Sequence, residues 1–127
     1  MLRYGPAAMA DKHPALIYKV ANADEFGEAR DEGIYAGAPI DLKDGFIHFS
    51  TAEQLRETLR LHFKGRDDLV LAAVRTADLG DALRWEPSRG GELFPHLYGN
   101  LEMSAVYWDE PINVDENGAC KLPARIG

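Results

Sequence analysis

Cysteine is nearly missing from this chain. Cys120 stands alone among 127 residues, so no internal disulfide can form, a reducing compartment fits, and a cytoplasmic location is the default expectation. Long apolar runs are missing too, and none approaches the roughly 20 residues that span a bilayer. The opening MLRYGPAAMADKHP lacks a signal-peptide core, so residues 1–14 read as a loose leader, with Met9 as an alternative start. Positive charge is short: 14 Lys and Arg against 21 Asp and Glu leave a net charge of −7, which argues against a broad nucleic-acid surface. Neither GxGxxG nor the phosphate-loop GxxxxGK occurs, and the GxSxG of a serine hydrolase is absent. Histidines at 48, 62 and 96 with one late cysteine lack the paired spacing of a zinc site, so no metal is expected. Without repeats or linkers, residues 15–112 read as one domain, and 113–127 as a weakly ordered C-terminal tail.

What is present reads as an α+β chain with two short helices in its N-terminal half. Leu16 to Ala21 is a strand of β-favouring residues. Asn22 with Glu25 forms a capping-box signal for a helix over about 23–32, ended by Gly33. Residues 34–43, punctuated by glycine and proline, read as a loop. DGFIHFST, from Asp44 to Thr51, opens on a turn and then alternates, with Phe46 and His48 on one face and Ile47 and Phe49 on the other. Ser50 and Glu53 predict the capping box of a second helix, whose stripe is Ala52, Leu55, Leu59 and Phe63. The apolar run 68–76 suits a central strand covered on both faces. Further strands are expected at 83–86 and 104–108, with 87–95 a surface loop and 96–100 extended.

Two stretches could carry chemistry. His48 sits on its strand beside the hydroxyls of Ser50 and Thr51 and the start of a helix, a setting for an anion or polar ligand. Two roles are open to it: a structural histidine held by a hydrogen bond, or a group that binds a ribose or phosphate and acts as acid–base. WEPSRGGELFPHLYG, from Trp85 to Gly99, gathers Glu86, Ser88, Arg89, Glu92, His96 and Tyr98 around a Gly-Gly pair. There Arg89 could hold a phosphate or carboxylate, with His96 or Glu92 as acid–base, or the stretch could be a structural turn. His62, near a helix end, reads as a solvated or dipole-capping residue. Despite the acidic balance, Arg56, Arg60, Lys64, Arg66, Arg84 and Arg89 leave room for a local basic pocket.

LIYKV, DGFIHFSTAEQL and RWEPSRGGELFPHLYG, in this order from about Ala15 to Trp108, resemble the bacterial family called domain of unknown function 952 (DUF952). More distantly, the chain is similar to ADP-ribosyltransferase-like proteins. FIHFS resembles the VHLS strand of RNA 2′-phosphotransferases, and poly(ADP-ribose) polymerases carry a tyrosine where His48 stands. The resemblance implies a split mixed β-sheet whose cleft takes NAD or an ADP-ribose-like nucleotide or phosphate ligand, with no cofactor required. Catalytic roles would fall to His48, His96 and Glu92, and ligand contacts to Lys19, Ser50, Thr51, Arg89 and Tyr98. Two positions depart from that pattern. Lys19 stands where the superfamily carries a ribose-gripping histidine, and Glu86, Glu92 and His96 are rival candidates for its late glutamate. A set of Lys19, His48 and His96 suits a phosphate better than an oxocarbenium ion. A binding or interaction module that keeps the fold without the chemistry is the alternative.

Overall fold

The computed structural model describes residues 13–126. Strand β1 (Leu16–Asn22) runs into helix α1 (Ala23–Glu32). Asn22 accepts a hydrogen bond from the Glu25 amide, and Gly33 closes the helix at φ 87°, as the caps predict. The expected loop over 34–43 is more structured than its glycines and proline suggest. It holds a two-residue strand β2 (Ile34–Tyr35) and a six-residue helix α2 (Pro39–Asp44), which starts on proline and ends at Gly45, φ 90°. Strand β3 (Ile47–His48) follows, then helix α3 (Ala52–His62). The cap of α3 is Thr51 and not Ser50, and its box partner is Gln54 and not Glu53. Ser50 is unavailable because its backbone exchanges two hydrogen bonds with Tyr18, at 2.8 and 2.9 Å.

Strand β4 (Leu69–Arg75) is buried along six of its seven residues. It is the middle of a three-stranded sheet, between β1 and β8 (Val106–Ile112). Strands β5 (Leu83–Pro87) and β6 (Leu93–Leu97) pair as a hairpin, and β3 adds to β6 to make a second three-stranded sheet. The Gly-rich loop is therefore only the tip of a hairpin. The short β7 (Leu101–Glu102) pairs with β2. Every ladder among the described residues is antiparallel, which corrects the expected mixed sheet; the chain is α+β, with three α-helices among the described residues. Strand β8 runs through Pro111 rather than ending before it.

Each face of the central sheet buries its own core. Ile17, Ala21, Val70, Ala72 and Val74 pack on Phe26 of α1 and on Ile47, Phe49 and Leu97 of the second sheet. Tyr18, Val20, Leu71 and Ala73 pack on Leu55 and Leu59 of α3. The segment expected as a loose tail joins this second core. Val114 is buried and bridges to Cys120, and Leu122 and Ile126 pack nearby. The leader expected over 1–14 lies outside the described residues except for His13 and Pro14. The His13 ring stacks on Trp85 at 4.2 Å. No helix among the described residues is long and apolar enough to cross a membrane.

Candidate functional site

Strand alternation sorts the second sheet into two faces. Ile47, Phe49 and Leu97 enter the core, while His48 and His96, direct partners across the β3–β6 ladder, share the other face. Their rings meet edge-on at 5.5 Å, and Phe46 stacks on His96 at 4.1 Å. On this side a cavity of about 530 Å³ opens between β1, α2, β3, α3 and the β5–β6 hairpin. Lys19, His48, Ser50, Arg89 and His96 all line it, so five of the sequence candidates converge.

The centre of the site is a residue that sequence reasoning passed over. Asp41 of α2 is 2% exposed, and four donors reach it. Its Oδ1 accepts from the His48 amide at 3.1 Å and faces His48 Nδ1 at 2.6 Å. Its Oδ2 accepts from Lys19 Nζ and from the Ala38 amide, both at 2.8 Å. Burial alone would raise this carboxyl, but the His48 hydrogen bond and the Lys19 charge outweigh it and hold the group at about 2. Lys19 is buried as well. Burial pushes its ammonium down, Asp41 opposes that shift, and a further proton goes to the His48 carbonyl at 3.1 Å. A carboxylate accepts only, so Asp41 fixes the hydrogen on His48 Nδ1 and turns Nε2 outward. There Nε2 meets Asp44 Oδ2 at 2.9 Å. The signal for Asp41 was local: Pro39 at a helix start, an acid two residues on, and glycine at the end.

The opposite wall carries positive charge and hydroxyls. Arg89 lies over the Phe94 ring at 4.9 Å and reaches Thr58 Oγ1 at 3.4 Å, which leaves most of its donor fork free. Ser50 and Thr58 share a hydroxyl hydrogen bond of 3.1 Å. His62, expected as a helix-end residue, lines the same cavity.

Three candidates stand elsewhere. Thr51 caps α3 through the Gln54 amide, at 3.2 Å. Glu92 accepts from Gln54 Nε2 at 3.0 Å, outside the cavity lining. Tyr98 donates to Glu86 at 2.9 Å on the exposed side of the sheet. Glu86 also faces His96 Nδ1 at 2.7 Å, and these bonds, first from His96 and then from Tyr98, hold its carboxyl below the ordinary range. Each histidine thus has its own carboxylate. No group of three or more His, Cys, Asp or Glu among the described residues is placed to hold a metal ion.

Comparison with known proteins agrees with this architecture. The family described as "Protein of unknown function (DUF952)" matches residues 20–109. The crystal structure of protein CC0527 from Caulobacter crescentus is 42% identical, with a TM-score of 0.82, over 87% of this chain and 97% of that one. The solution structure of CC0527 is 44% identical, with a TM-score of 0.73, over 83% of this chain and 90% of that one. No curated protein matches the chain.

Proposed function

The chain belongs to the DUF952 family, and on that premise we propose that its cleft binds a nucleotide or phosphorylated small molecule of the NAD or ADP-ribose kind and acts on it as a transferase. One observation carries this reading. A single cavity of about 530 Å³, within the size range of small-molecule sites, joins a carboxylate-oriented histidine to a wall of arginine and hydroxyls. Arg89 offers a planar fork to a phosphate, and the hydrogen-bonded Ser50–Thr58 pair adds one hydroxyl donor. His48, held by Asp41, orients the ribose or phosphate and serves as acid–base, with His96 beside it. The likeness of FIHFS to the corresponding strand of ADP-ribosyltransferase-like proteins, and a β-structure split into separate sheets, support that fold relationship. Glu92 is left out of the mechanism because it accepts from Gln54 outside the cavity lining.

NAD and ADP-ribose titrated into the protein, with the ring resonances of His48 and His96 followed by NMR, test the reading. Saturable shifts at both rings are expected, and unmoved resonances at millimolar ligand overturn it.

A second reading, a module that binds without catalysis, is favoured by one observation: Glu86 and Glu92 both lie outside the cavity lining. A folded His48→Ala/His96→Ala variant separates the two. Loss of turnover with retained binding supports the transferase, whereas a wild-type protein that binds and leaves NAD intact supports the module.

A further inference from the structure

The two carboxylates of the cleft wall differ in what they can still accept. Asp41 is closed, since Lys19, the Ala38 amide and two donors of His48 already occupy its oxygens. Asp44 is open. Its Oδ2 faces His48 Nε2, no hydrogen bond reaches its Oδ1 among the described residues, and its side chain is 37% exposed at the cavity. Glu86 and Glu92, bonded to His96 and Tyr98 and to Gln54, lie outside the cavity lining. Asp44 is thus the carboxylate of this cleft with an oxygen left for a ligand.

The two walls make opposite demands. Arg89 and the Ser50–Thr58 hydroxyls favour an anion, while a carboxylate repels a phosphate and takes hydroxyl or N–H donors. A ligand that satisfies both carries its anion at one end and hydroxyl donors at the other. We infer that Asp44 receives the hydroxyl groups of a sugar phosphate whose phosphate lies on Arg89. His48, whose ring Asp41 orients through Nδ1, brings Nε2 to 2.9 Å from Asp44 Oδ2 and flanks that side of the carboxylate. This inference rests on the nucleotide reading of the same cleft and assigns the sugar contact within it.

Calorimetric titration of the full chain with ribose 5-phosphate and with inorganic phosphate provides the test. Wild type should prefer ribose 5-phosphate. Asp44→Ala should weaken that binding roughly tenfold, the effect of losing hydrogen bonds to a charged group, without weakening phosphate binding. The isosteric Asp44→Asn should fall between the two, and Glu92→Gln should change neither affinity. If both probes bind and Asp44→Ala weakens neither, or weakens both equally, the sugar contact is overturned while the nucleotide reading stands. If neither probe binds wild type, both are overturned.

Discussion

At the residue scale, Asp41 ties the site together, since four donors from Lys19, Ala38 and His48 meet on its carboxylate. A buried ion pair gains little over an apolar replacement, but removal of one partner strands the other charge in a poor dielectric. Asp41→Asn would leave Lys19 in that position and take the charged acceptor from His48. Denaturant unfolding of this variant should show a loss of about 3–5 kcal/mol. Adding Lys19→Met should recover part of it, because the two sites are coupled. The same carboxylate predicts a pH effect. Its folded value of about 2 lies below the ordinary 3.8, so its stabilisation is full above roughly pH 4 and is lost as pH falls through 2. The difference in unfolding free energy between wild type and Asp41→Asn should therefore shrink by roughly 2 kcal/mol across that window. Sequence reasoning reached His48 and Arg89 because a histidine on a strand and an arginine beside paired glycines are conspicuous, and it reached Lys19 through the family resemblance of the first strand. The short helix of Asp41 left a local signal, but its role in the site was not legible. An aspartate among glycine and proline reads as a turn residue, and only the fold brings Lys19, 22 positions earlier, to it.

At the scale of elements, α2 decides the site. It is a single short helix held between two glycines of positive φ, Gly37 at 118° and Gly45 at 90°. A Cβ at Gly37 would come within 2.8 Å of the Asp41 Cβ, whereas one at Gly45 meets nothing within 4 Å. Both Gly→Ala changes incur the left-handed penalty of roughly 1–2 kcal/mol. Gly37→Ala should cost more, and it alone should shift the His48 ring resonances, because it pushes on the carboxylate that holds the ring. Thermal unfolding and NMR spectra of the two variants check this. Helices α1 and α3 were legible because their caps and apolar stripes are local signals. The choice of Thr51 over Ser50 as a cap was not, since the strand bridge to Tyr18 that occupies the Ser50 backbone is a tertiary fact.

For the whole molecule, the central sheet carries a core on each face, and the C-terminal segment belongs to the second. Composition and the apolar run at 68–76 pointed to a two-faced strand, but a polar, glycine-containing stretch gave no sign that Val114 would be buried there. Truncation after Ile112 removes that residue together with the packing of Leu122 and Ile126. It should lower the unfolding free energy by at least roughly 2 kcal/mol, the worth of burying an aliphatic side chain. Equilibrium denaturation of the shortened chain measures the loss.

Strand β3 and its flanks use alternate residues for opposite purposes, with Ile47 and Phe49 in the core and Phe46 and His48 toward the other side. Insertion or deletion of one residue between Gly45 and Phe49 would exchange the two sets and drive the histidine inward. The spacing of this segment therefore acts as a reading frame shared by fold and site. Substitutions can alter the chemistry of the cleft one side chain at a time, but a change of length cannot reach the chemistry without dismantling the core.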